Sequence, residues 1–176
     1  MPNNTSLKSL QIDKSKDTKN TITILKELYL IYSKRKHPNI PERYLTCPKF
    51  NDKTANGLTT CIIQYIKLTG GQAERINCTG RIIDNRTIST DILGHKRTIG
   101  SMKYIKTAGQ RGTADISATI KGRSVKIEVK IGNDRQSEAQ KEYQKNIEAS
   151  GGLYFIAKNF SQFLEWYNLM FSSYGE

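Results

Sequence analysis

Gly112-Thr113-Ala114-Asp115-Ile116-Ser117-Ala118-Thr119-Ile120-Lys121-Gly122-Arg123-Ser124-Val125-Lys126-Ile127-Glu128-Val129-Lys130 holds two alternating runs joined by a short turn. Ala114, Ile116, Ala118 and Ile120 alternate with Asp115, Ser117 and Thr119, and Val125, Ile127, Val129 and Ile131 alternate with Lys126, Glu128 and Lys130. A period of two in both runs is the pattern of half-buried strands. Lys121-Gly122 between them suits a two-residue hairpin loop, with Gly supplying positive φ. That loop pairs Ile120 with Arg123, Ala118 with Val125, Ile116 with Ile127 and Ala114 with Val129, so apolar meets apolar. The same register sets Asp115 opposite Glu128, with Lys130 beside Glu128 on the same face. A slip of one residue would break every match. Two ionised carboxylates held this close repel each other. A divalent cation relieves the repulsion, and oxygen ligands suit Mg²⁺ or Mn²⁺. The competing reading is a hairpin with an ordinary solvated charged face.

The chain after the hairpin predicts a helix over Ser137 to Ala149, capped by Ser137, with Gln140, Tyr143 and Gln144 on one side. Ser150-Gly151-Gly152 ends it. Leu153 to Ala157 reads as a buried strand, and Phe160 to Phe171 as an amphipathic helix with Phe163, Leu164, Trp166, Tyr167 and Met170 on its apolar side. Upstream, Leu58, Cys61, Ile62, Tyr65, Ile66 and Leu68 predict a helix over Asn56 to Leu68.

Four features together resemble the PD-(D/E)XK nuclease superfamily, and within it the VRR-NUC and Holliday junction resolvase-like proteins of phages and bacteria. They are Gly112 with Asp115, Glu128 with Lys130, Ser137 with Gln140, and the Gly151-Gly152 turn into a strand. Gly70 to Asn77 resembles the first strand of that family. The resemblance spans roughly Asn56 to Tyr167, with an insertion. It implies an α/β, restriction-endonuclease-like αβββαβ core with a mixed central sheet. It also implies metal-dependent hydrolysis of DNA phosphodiesters, by an endonuclease selective for structures such as junctions or flaps. Asp115, Glu128 and the main-chain carbonyl of Val129 would hold Mg²⁺, with Mn²⁺ able to substitute. Lys130 would orient or deprotonate the attacking water, and Gln140 would sit beside Lys130. Arg75 is a candidate contact to substrate, its alternative being an ion pair with Glu74 or another acid on the strand.

One departure stands out. Many members of the family carry an acid on the first core helix, and Asn56 to Leu68 contains neither Asp nor Glu. Asn56 and Gln64 offer neutral oxygens there; otherwise Asn56 caps the helix and Gln64 is solvated.

Lys and Arg number 28 against 16 Asp and Glu, a net charge of +12. An excess of this kind attracts polyanions through phosphate contacts. Residues 79–111 read as a basic, Gly-punctuated insertion, in which Met102 to Lys106 alternates like one end of a hairpin. It is expected to be a mobile flap facing DNA, with Lys106 and Arg111 on phosphates and Arg135 a further contact; the alternative is an inert surface hairpin. Before the core, Thr21 to Lys34 predicts a helix with a broad apolar face that docks on the core or on a second subunit, ended by His37-Pro38-Asn39-Ile40-Pro41. The expected layout is therefore a disordered polar segment over 1–20, a helix and loop over 21–55, and the core over 56–176.

No apolar run approaches the ~20 residues of a membrane span. Cys47, Cys61 and Cys78 form no C-x-x-C pair, which suits reduced thiols in a cytoplasm, bacterial or phage-infected. Cys78 and His95 match no zinc module, and neither His37 nor His95 sits where a cysteine nucleophile would need a base. DNA is the expected partner, with a homodimer open and no membrane or organic cofactor. Two other readings remain. One is a catalytically inactive nuclease fold that only binds DNA, and the other is an interaction protein whose basic surface meets an acidic partner.

Overall fold

The computed structural model describes residues 18–77, 80–106 and 109–172. The expected disorder of the N-terminus falls outside them for 1–17, and so does Cys78. In chain order the helices are α1 (Thr18–Lys36), α2 (Ala55–Leu68), α3 (Glu138–Ala149) and α4 (Phe160–Phe171). The strands are β1 (Gln72–Arg75), β2 (Arg81–Asp84), β3 (Thr87–Thr90), β4 (Lys96–Ile99), β5 (Met102–Ile105), β6 (Ile116–Ile120), β7 (Arg123–Val129) and β8 (Leu153–Ala157). The class is mixed α/β.

The central sheet has the order β1-β6-β7-β8. β1, β6 and β7 are antiparallel to their neighbours, and β8 runs parallel to β7. Parallel neighbours need a crossover, and α3 supplies it. The hairpin between β6 and β7 has the register read from the sequence: Ile120 faces Arg123, Ala118 faces Val125 and Ile116 faces Ile127. Both loop residues take positive φ, Lys121 at 47° and Gly122 at 78°. That is the twist a two-residue turn must have to join right-twisted strands.

One face of the sheet carries the core. Ala73, Ile116, Ala118, Ile120, Val125, Ile127 and Val129 are buried there with Leu58, Ile62, Ile66, Phe160, Phe163 and Leu164 from α2 and α4. Each large side chain in this set contributes about 1.5–3 kcal/mol by leaving water. α1 joins through Leu25, fully buried against α2 and α4, while Leu30, Ile31 and Tyr32 remain exposed. Helix α1 starts at Thr18, three residues before the predicted start and inside the segment expected to be disordered.

Three expectations need correction. The cap of α2 is Thr54, whose Oγ1 accepts from the Gly57 amide at 3.1 Å, and not Asn56. β8 is half-buried along most of its length rather than buried, because it is an edge strand with only β7 as a neighbour. The insertion contains four strands, not a single alternating end, and these form antiparallel ladders β2–β5 and β3–β4.

Candidate functional site

The site sits where β6 begins and β7 ends. Extending the β6–β7 ladder by one pair places Asp115 opposite Glu128, and Asp115 Oδ2 accepts a hydrogen bond from the Val129 amide at 2.8 Å. In an antiparallel pair a residue's N–H and C=O face the same neighbour. The Val129 carbonyl therefore also faces the Asp115 side.

Glu128 is 2% exposed and Lys130 7%. Glu128 Oε1 is shared: Gln140 Nε2 donates to it, and Lys130 Nζ lies 3.1 Å away. Lys130 Nζ also meets Asp134 Oδ2 at 3.3 Å. Glu128 Oε2 is buried and has no hydrogen-bond partner. Leaving a buried polar atom unpaired costs about 1–3 kcal/mol.

Burial first, and next the nearby charge of Asp115, raise the Glu128 carboxyl to about 7 against the opposing effect of Lys130. For Lys130, burial lowers the pKa. The hydrogen bond and charge of Glu128, with those of Asp134, outweigh it and hold the ammonium above its ordinary value.

Local sequence explains why these groups meet. Ser137 and Gln140 form a reciprocal capping box: Ser137 Oγ accepts from the Gln140 amide, and Gln140 Oε1 accepts from the Ser137 amide at 2.9 Å. With its oxygen used by the cap, the Gln140 side chain is oriented to give its NH₂ to Glu128. Gly112, at φ +79°, lies against the first turn of α3; a Cβ there would stand 2.2 Å from the Ala139 carbonyl oxygen. The spacing from Gly112 to Asp115 thus joins a close approach to α3 with a carboxylate beside Glu128.

Asp115, Glu128, Lys130 and Gln140 are brought together. Gln140 lies beside Lys130, and both meet the same Glu128 Oε1. Arg75 is not part of this cluster. It faces Ile116 across β1–β6, on the core side of the sheet, and its Nη2 donates to Asn56 Oδ1 at 2.8 Å. That contact stands where the alternative reading had an ion pair with Glu74 or another acid on the strand. Lys106, Arg111 and Arg135 are exposed, and Arg111 lines a groove with Glu138, Lys141 and Tyr143 at the start of α3.

Two participants were not read from the sequence. Asp134 reaches Lys130 through the turn at Gly132, four residues on, a spacing that carries no signal in a loop. Tyr154 faces the same side as Glu128 because it pairs with Lys126 in the parallel ladder. Its buried hydroxyl lacks a hydrogen bond of normal geometry, although the Gln136 side chain approaches it. Burial first, and Glu128 next, push the Tyr154 hydroxyl well up.

The donor set suits a divalent cation. The Asp115 charge opposes ionisation of the buried Glu128, one buried oxygen is unpaired, and a carbonyl faces the same side. Among the described residues there is no cluster of three or more His, Cys, Asp and Glu side chains, so any third protein ligand must come from the main chain or from Asn, Gln or Tyr oxygens. Among the described residues no helix is long and apolar enough to cross a membrane. Neither a family model nor a curated protein matches the chain.

Proposed function

We propose that the chain is a metal-dependent nuclease of the PD-(D/E)XK kind that hydrolyses DNA phosphodiesters, selectively at structures such as junctions or flaps. The observation that carries this reading is the buried Glu128, its Oε2 unpaired, beside Asp115 and flanked by Lys130. Burying that set of charges is expensive, and binding a polyanion gives no reason to face it with acids. The order of the elements around the central sheet supports the reading: α2, β1, β6, β7, α3, β8 once the insertion strands β2 to β5 are set aside, with the sheet order β1-β6-β7-β8. The net charge of +12 supports a nucleic-acid substrate.

Asp115, Glu128 and the Val129 carbonyl would hold Mg²⁺ or Mn²⁺. A cation held there would supply Lewis-acid polarisation of the scissile phosphate and of the attacking water. Lys130, held as an ammonium between Glu128 and Asp134, orients the attacking water and offsets charge gathering on the phosphate oxygens. That placement favours orientation over proton abstraction. Gln140 fixes the Glu128 carboxylate and leaves Oε2 free.

The test is cleavage of a labelled four-way junction, flap, linear duplex and single strand with Mg²⁺, Mn²⁺ or EDTA. Glu128→Ala and Lys130→Ala should each abolish cutting and leave DNA binding largely intact. Native-rate cutting by either variant would overturn the assignment. A second reading, a nuclease fold that binds DNA without cutting it, is favoured by one observation: α2 has no acid, and Asn56 is engaged by Arg75. It predicts salt-sensitive binding and no cleavage with either ion.

A further inference from the structure

The insertion is one long hairpin arm. Arg81 faces Ile105 at one end and Thr90 faces Lys96 at the other, in a single unbroken register. The Asn85 amide donates to the Ser101 carbonyl at 3.2 Å between the two ladders. At about 3.3 Å per residue, strands over 81–90 reach about 30 Å, close to one turn of a DNA duplex.

The tip is built, not slack. Asp91 N–H donates to the His95 carbonyl and Gly94 N–H to the Asp91 carbonyl, both at 3.0 Å. Asp91 Oδ1 accepts from the Leu93 and His95 amides at 2.9 and 2.8 Å. Gly94 takes φ +84°, as a three-residue hairpin loop requires. The residues raised on this frame are Ile92 and Leu93, 102% and 77% exposed. Turn apices normally carry Gly, Asn, Asp, Ser or Pro, so two large aliphatic side chains here need a partner. Apolar exposure continues along the arm at Ile88, Ile99 and Tyr104. Residues 80–106 also hold six Lys and Arg against two Asp.

An apolar tip on a cationic shaft complements a ligand that is anionic outside and apolar within. A nucleic-acid duplex is such a ligand: phosphates surround a base stack, the major groove admits a two-stranded ribbon, and aliphatic wedges enter between base steps. Chain connectivity favours DNA over an anionic membrane, because the arm leaves from β1 and returns into the segment that carries Asp115.

We propose that this arm grips DNA with its basic ribbon and inserts Ile92 and Leu93 between base pairs, so that the protein selects DNA that is already bent or unpaired at a branch. The proposal rests on the DNA reading of the site. It is tested with the full chain carrying Glu128→Gln, to allow binding without cutting, on linear and branched DNA labelled with 2-aminopurine. Binding should raise the fluorescence at least twofold as a base unstacks. Adding Ile92→Ser and Leu93→Ser should remove that rise and cut the preference for branched over linear DNA at least tenfold, with the salt dependence of binding unchanged. Both residues are exposed, so the thermal midpoint should hold and show that the fold survives.

Equal unstacking and equal preference in the tip variant would overturn the wedge and leave the DNA reading standing. No DNA binding with or without the tip would overturn both. Two other results would overturn the wedge in favour of a different occupant. One is a dimer by sedimentation that the tip substitutions dissolve while DNA behaviour is unchanged. The other is binding to phosphatidylserine vesicles that the substitutions abolish while DNA behaviour is unchanged.

Discussion

In the metal-free protein, Glu128 should make stability fall as pH rises. The fold holds this carboxyl at about 7, against an ordinary value of 4.5, because it is buried and beside Asp115. The native state therefore keeps a proton that the unfolded chain has released. The contribution is fully present below pH 4.5 and is lost as pH rises through 7. A displacement of this size corresponds to about 3 kcal/mol. Glu128→Gln removes the titration and keeps the shape. The ion pair with Lys130 forms only when Glu128 is ionised, so its effect is already contained in the position of that titration. The stability of the variant minus that of the native chain should therefore grow by up to about 3 kcal/mol between pH 4.5 and 8. The assay is urea unfolding in EDTA at several pH values, each read by linear extrapolation. Saturating Mg²⁺ at pH 8 should close most of the gap, since a ligand at a hundred times its Kd stabilises by about 2.7 kcal/mol. A difference that stays flat across the window, or shrinks as pH rises, would refute the account of Glu128.

Two further outcomes follow from the α3 junction. Gly112→Ala should destabilise by about 1–3 kcal/mol, because a side chain is strained at φ +79° and its Cβ meets the Ala139 carbonyl; urea unfolding measures the loss, and cleavage should fall with it as α3 is displaced. Gln140→Ala should cost about 1 kcal/mol for the lost cap and slow cleavage. Gln140→Glu should restore much of the stability but not the rate, since it can still accept from Ser137 and cannot donate to Glu128; equal rescue of both would show that Gln140 acts only as a cap.

The hairpin was legible because two independent signals agree on it. Apolar residues recur every second position, and Lys121-Gly122 fits one loop length, so the register had a single solution. The capping box was legible in half: Ser137 announces a helix start, but no spacing reveals that the Gln140 amide turns back to Glu128. Tyr154 stayed hidden because its side of the sheet depends on the parallel register of β7 and β8, set by a crossover and not by a turn. The contact of Arg75 with Asn56 was not legible, because a strand as short as Gln72–Arg75 shows no clear alternation to fix its face. The arm was legible at one end only: Met102 to Lys106 alternates, whereas Ile82 and Ile83 are neighbours on opposite faces of the ribbon, so period two is lost in the outgoing strand.

Arg75 and Ile116 are directly paired across β1 and β6. Two residues would suffice to join antiparallel neighbours, so the sheet places no demand on what lies between them. Residues 80–106, which stop short of Gly112 and Asp115, occupy a position where segments of any length can be exchanged over generations. The carboxylates of Asp115 and Glu128 lie outside that segment, so its exchange leaves their arrangement unaltered.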